Sequence, residues 1–170
     1  MATTFQVRPA TVAEAHVIAR HRAEMFSDMG TLAQPLYGGL VEGTVRYLER
    51  AMAAGEYLAW FAVPSAHPRE IVGGAGILVR RLPPHPLKGS EVRLAAGRQG
   101  LVMNVFSERR WRRRGVAELL MRHLLVWASE NDLDTLVLHA SAEGRTVYER
   151  LGFVATNEMR YAGPLSSRHQ

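Results

Sequence analysis

Apolar and polar residues change rhythm several times along the chain, and each change marks an element. "TFQVRPA" reads as a short strand. Thr11 followed three residues later by Glu14 forms a capping box, in which hydroxyl and carboxylate satisfy opposite orphan amides at a helix start. Ala15, Ile18, Ala19, Arg22, Met25, Phe26 and Met29 then keep helical spacing up to Gly30, a glycine suited to stop a helix. "TLAQPLYGGLVEG" mixes proline and glycine with apolar residues and reads as an ordered loop. Val45, Leu48 and Met52 predict a shorter second helix ending at Gly55.

From there the period shifts towards that of strands. "YLAWFAV", closed by Pro64, and "IVGGAGILV" predict an antiparallel pair, the glycines of "GGAGI" marking a bulge or a close backbone approach. Leu82 to Gly100 carries several prolines and no sustained period, which predicts a long surface loop. "LVMNVF" is another strand. Val116, Leu119, Leu120, His123, Leu124 and Trp127 then make the strongest helical stripe of the chain, with His123 expected at the edge of the core. "TLVLHA" predicts a strand, "GRTVYERLGF" a short helix stopped by Gly152, and "FVATNEMRY" a final strand. The order implies an α+β fold around a largely antiparallel sheet.

Composition narrows the function more than the fold. The chain has 170 residues, 47% of them apolar and 22% charged, which suits one globular domain spanning 1-170. It contains no cysteine, so disulfides, thiolate metal sites and cysteine nucleophiles are excluded. The seven histidines form no ligand-like pair, and no metal is expected. Neither a long apolar run nor a secretory pattern is present, so a cytoplasmic protein without a membrane partner is expected. A net charge of +5 and a pI near 10.2 favour an anionic partner.

The basic residues concentrate in "SERRWRRRGVAELLM", between a strand and the strongest helix. A helix N-terminus presents unpaired amides and a partial positive charge, and Gly115 lets the backbone approach an anion closely. Amides from about Arg112 to Ala117 could therefore encircle a pyrophosphate, with guanidinium groups adding bonds from the rim. Neither a Walker A loop nor the Rossmann glycine triplet is present. Arginines interleaved with Trp111 could also grip nucleic acid, but no DNA- or RNA-reading motif accompanies them, and nucleic acid is not expected as a partner.

"NVFSERRWRRRGVAELLM" resembles the acyl-CoA-binding motif of the GNAT superfamily of N-acetyltransferases, Gln/Arg-x-x-Gly-x-Gly/Ala between the family's fourth strand and third helix. "ASAEGRTVYERLGF" is similar to the family's second motif, with Tyr148, Gly152 and Phe153 at matching positions. The opening "VRPATVAEAHVIARHRAEMF" resembles the usual first strand and helix. The resemblance implies a GNAT-like mixed sheet of about six to seven strands flanked by about four helices. It also implies acetyl-CoA as cosubstrate and an amine as acceptor, with direct acetyl transfer between them.

Carried onto this chain, the resemblance places pantetheine along the strand edge at Val105, Phe106 and Ser107. The pyrophosphate falls among Arg112, Arg113, Arg114, Gly115, Val116 and Ala117, with Trp111 at its flank. Tyr148 is the expected proton donor to the CoA sulfur, and Ser141 stands where many members hold pantetheine with an asparagine. Arg109 replaces a frequent proline, and Ala117 a commoner glycine. Glu108, just past the strand, is the expected base, with Glu24 and Asp28 bordering the acceptor side. A non-catalytic acyl-CoA-binding module is the alternative, against which a proton donor at the sulfur argues. The acceptor is expected to be a small amine, an amino acid or a peptide N-terminus, and association into a homodimer stays open.

Overall fold

In the computed structural model, which describes residues 3–86 and 94–161, the elements follow the expected order with three differences. β1 (Phe5–Pro9) passes through a 3-10 turn at Val12–Glu14 into α1 (Ala15–Asp28), then α2 (Tyr37–Ala53), β2 (Tyr57–Pro64) and β3 (Gly73–Arg81). A small ribbon, β4 (His85–Pro86) with β5 (Leu94–Ala95), precedes β6 (Arg98–Ser107), α3 (Val116–Glu130), β7 (Thr135–Leu138) and α4 (Arg145–Arg150). The capping box forms as expected, the Thr11 amide donating to the Glu14 carboxylate at 2.9 Å.

The main sheet has five strands in the order β1-β2-β3-β6-β7. Neighbours are antiparallel except the last pair, β6 with β7, which is parallel. Both faces are covered, which is why β2 reads as an almost unbroken apolar run. Tyr57, Ala59 and Phe61 pack with Ile18, Leu48 and Ala51 of α1 and α2. Trp60 and Ala62, pointing the other way, pack with Val116, Leu120, Met121 and Leu124 of α3. His123 sits at the edge of that layer, its ring 5.5 Å from Trp60.

The first difference is in α2, which starts at Tyr37 rather than near Val45. Gly38, Gly39 and Gly43 are helical here despite their low propensity, because Thr44, Leu48 and Ala51 commit that face to the sheet. The second is the segment from Phe153 to Tyr161, which forms no strand. Phe153 packs against the core and Tyr148, and Glu158 meets His139 at 3.1 Å on the surface, while Val154 and Met159 are exposed. Its β-prone residues have no ladder to join, so five main-sheet strands stand in place of six or seven. Third, the expected loop is pinched by the β4–β5 ribbon and shortened at its C-terminal end, where β6 begins at Arg98. Residues 87–93 of that loop lie outside the described residues.

Candidate active site

β6 pairs with β7 only from Gln99 opposite Thr135 to Val102 opposite Leu138, and then runs on alone to Ser107. On its other side it stays bonded to β3, with a register shift between Gly74 and Gly76. Asn104 absorbs that bulge in a left-handed conformation, φ 56°, which asparagine tolerates better than most residues. The side of β6 facing β7 is thus left without a ladder partner over 103–107. Val105, Phe106 and Ser107 all lie on this stretch. One acceptor there is already used, since Arg112 Nε donates to the Ser107 carbonyl at 3.2 Å.

Beyond β6 the chain makes a 3-10 turn at Arg109–Trp111 and enters α3. Arg113 (φ 58°) and Gly115 (φ 80°) are both left-handed, an alternation that turns successive amides inward as a nest. No side chain caps α3, and its first amides, Val116 and Ala117 included, have no carbonyl one turn earlier to bond. The Arg112 amide already donates to the Arg109 carbonyl at 3.4 Å, so among the described residues the amides left to meet an anion run from Arg113 to Ala117.

The arginines divide the work. Arg109 and Arg112 both bond Asp28 at the end of α1, and Arg110 bonds Glu70 at 2.5 Å, where Trp111 Nε1 also donates at 2.9 Å. These contacts fasten the turn to its neighbours. Arg114 lies over the Trp111 ring, 5.0 Å from its centroid, and neither it nor Arg113 has an acidic partner among the described residues.

Tyr148 projects from α4, half-buried, its ring edge-on to Phe153. Burial raises its pKa, and its hydroxyl bonds to none of the described side chains, so the phenol keeps its proton and has it free to donate. Ser141 is engaged locally: its Oγ accepts from the Gly144 amide at 3.1 Å, setting the start of α4.

Glu108 is closely held. Its Oε1 accepts from Arg20 at 2.5 Å and lies 3.1 Å from His21 Nε2. Burial alone would raise its pKa, but the bond and charge of Arg20, with His21 beside it, outweigh that and hold the carboxyl below its ordinary range. His21 is buried, which pushes its pKa down to about 4 despite the carboxylate. Glu24 accepts from the Tyr37 hydroxyl at 2.9 Å, and Asp28 is taken by two guanidiniums.

Where β6 and β7 part, a cavity of about 320 Å³ opens between α1, α2 and β6. Arg22, Tyr47, Tyr57, Met103 and Asn104 line it, together with one face of α2. Asn104 is the hub: its Nδ2 donates to the Tyr57 hydroxyl at 2.8 Å, and its Oδ1 accepts from Arg22 Nη1 at 2.9 Å. The sequence reading missed this cavity. Its one signal was an arginine, Arg22, inside the otherwise apolar stripe of α1.

Residues 91–165 match a family model described as an acetyltransferase (GNAT) domain. This part of the chain is thus similar to a GNAT domain. The likeness in structure extends over nearly all of the chain. A GCN5-related N-acetyltransferase from Ralstonia eutropha JMP134 is 25% identical, with a TM-score of 0.79 over 93% of this chain and 97% of the other. A predicted acetyltransferase from Clostridium acetobutylicum, determined with acetyl-CoA, is 24% identical with a TM-score of 0.78, covering 98% of this chain and all of that one. Glucosamine-6-phosphate N-acetyltransferase from Arabidopsis thaliana shares the fold at 14% identity, with a TM-score of 0.63, over 96% of this chain and 99% of the other. No curated protein matches the sequence.

No helix among the described residues is long and apolar enough to cross a membrane.

Proposed function

We propose that the chain transfers an acetyl group from acetyl-CoA directly to a primary amine of a small molecule, amino acid or peptide. The observation that carries this reading is the continuity of two features: the unpaired stretch of β6 runs straight into the left-handed turn and uncapped start of α3. An extended arm ending in a diphosphate fits that path, the arm along Val105 to Ser107 and the diphosphate on the amides from Arg113 to Ala117. Arg113 and Arg114 add charge at the rim. Ser141, bonded to the start of α4, offers its remaining lone pair at the other wall of the cleft.

The cosubstrate supplies its acetyl group as a thioester, and the chain supplies position and protons. The amine is held against the carbonyl carbon from the side of the α1–α2–β6 cavity, so the new C–N bond forms as the C–S bond breaks. Tyr148 holds a proton at its phenol oxygen for the departing sulfur, and burial keeps that proton in place at neutral pH. The proton lost by the amine passes to solvent through Glu108. Its carboxylate, ionised by Arg20, relays a proton better than it stores one. Without cysteine, a thioester on the chain itself is excluded, which favours direct transfer.

Calorimetric titration with CoA and with acetyl-CoA tests the reading. Saturable heat at micromolar ligand is expected with both. Absence of heat with either would overturn it. A membrane-free cytoplasmic setting and a single domain over 1-170 accord with this function.

A further inference from the structure

We propose that the amine acceptor carries a carboxylate, and that Arg22 binds this carboxylate in the cavity between α1, α2 and β6. The inference rests on the acetyl-transfer reading and adds the class of acceptor to it. Arg22 reaches the cavity from within an apolar helix stripe, and its guanidinium bonds only a neutral partner, the Asn104 amide oxygen. It also lies over the Phe26 ring, 4.8 Å from the centroid. No carboxylate pairs with it among the described residues, whereas Arg8, Arg20, Arg109, Arg110 and Arg112 each have one.

A cation partly withdrawn from water without a counter-ion is costly, and here burial already lowers the guanidinium's pKa. A guanidinium has five N–H donors in a planar fork that matches a carboxylate, and the Asn104 bond uses one of them. Among the described residues the cavity walls contain no acidic side chain to anchor a polyamine's second charge. Tyr47, Tyr57, Leu40, Leu48 and Met103 give the rest of the ligand an apolar, aromatic bed.

The helix that walls the cavity points the same way. Gly39 and Gly43 line it, yet a Cβ at either would meet nothing within 4 Å. Packing therefore does not demand glycine at these helical positions, where alanine would stabilise the helix by about 1 kcal/mol each. What their missing side chains leave is room. At about 320 Å³ the space suits a molecule the size of an amino acid or a short peptide end. Met103 and Asn104 form its inner wall just past the last β6–β7 pair, so a ligand anchored at Arg22 brings its amine to the splay.

Matched pairs that differ only in the carboxylate, phenylalanine against phenethylamine and leucine against 3-methylbutylamine, test this, with phosphoethanolamine against ethanolamine as the phosphate comparison. With acetyl-CoA, kcat/KM is expected to favour the carboxylated member by about 30-fold or more. Arg22→Gln should raise KM for the acids about 30-fold and leave the decarboxylated amines unchanged, and Arg22→Lys should recover part of the preference. Gly43→Leu should fold as stably as the parent, lose both classes of amine, and keep its affinity for acetyl-CoA. Equal turnover of acid and amine, an equal loss of both in Arg22→Gln, or a stronger preference for phosphate would overturn the assignment. Titrating the acids into protein saturated with CoA reads the cavity without turnover, and no heat from any acid would overturn it too. Heat with acetyl-CoA alongside a failed acid preference would sink this inference while leaving the acetyl-transfer reading standing.

Discussion

The two ends of the unpaired β6 stretch are built in opposite ways. At its C-terminal end the candidate diphosphate cradle is made of consecutive residues, Arg113 to Ala117, and its chemistry is that of backbone amides. At the bulge, the candidate acceptor cavity gathers side chains from four separate elements: Arg22 from α1, Tyr47 from α2, Tyr57 from β2 and Asn104 from β6. The cradle needs only a local conformation, so its signature is a short string with small residues at fixed offsets. The cavity has no string, because its neighbours in space lie up to tens of residues apart in the chain. A site made of backbone tolerates varied side chains and serves a constant ligand. A site made of side chains can change its ligand with one substitution.

Three variants separate these two halves, and a fourth reads the acid sensitivity beside them. Tyr148→Phe is expected to lower kcat about 100-fold while leaving acetyl-CoA affinity intact by calorimetry. A kcat within a factor of two of the parent's would remove the phenol from the chemistry. Ala117→Glu places a negative charge among the cradle amides and should weaken acetyl-CoA binding by about 30-fold, chiefly through repulsion of the diphosphate. Acceptor KM, measured at saturating acetyl-CoA, should stay within a factor of two, and a matching loss on both sides would mean the halves are not separate.

Gly76→Ala strikes the cavity from beneath. An added Cβ would stand 2.0 Å from the Tyr57 hydroxyl, so the buried tyrosine must move and its bond to Asn104 must yield. Urea unfolding should show a loss of about 2 kcal/mol. In the folded protein, acceptor KM should rise while acetyl-CoA affinity holds. A midpoint equal to the parent's would show that Tyr57 is not fixed by this contact.

The mildest effect is on pH. His21 is buried with a pKa of about 4, below the ordinary 6.5, so the unfolded chain binds the extra proton between those values. Stability therefore rises with pH through that window and is lost as pH falls from 6.5 towards 4. The loss should come to about 2 kcal/mol, with Glu108, whose pKa is also depressed in the fold, adding to it at the acid end. His21→Gln should flatten the slope of urea midpoints between pH 6.5 and 4.5. An unchanged slope in that variant would assign the acid sensitivity elsewhere.

The contrast between cradle and cavity also marks how far the amino-acid order could be read. Capping by Thr11 and Glu14 and the helix stops at Gly30, Gly55 and Gly152 were legible, because each depends on the conformation of a few adjacent residues. The close approach expected at "GGAGI" is present, since a Cβ at Gly76 would collide with Tyr57, whereas the extra residue of the bulge lies on β6 at Asn104. Propensity misled where tertiary contacts decided. The glycines at the start of α2 are helical because Thr44, Leu48 and Ala51 beyond them are bound to the sheet. The β-prone stretch after Phe153 finds no neighbouring ladder.

Local order alone, then, determined the alternation of strands and helices, the helix ends and the amide turn before α3. Only the tertiary structure decided that Asp28 and Glu70 would hold Arg109, Arg110 and Arg112, leaving Arg113 and Arg114 for the rim. It alone brought Glu108 to Arg20 and His21, 87 or more residues away in sequence, and Arg22 to Asn104, 82 residues away. The physical reason is range. Backbone conformation is set by neighbours along the chain, whereas charge pairing and burial are set by whichever side chains the sheet brings within a few ångströms.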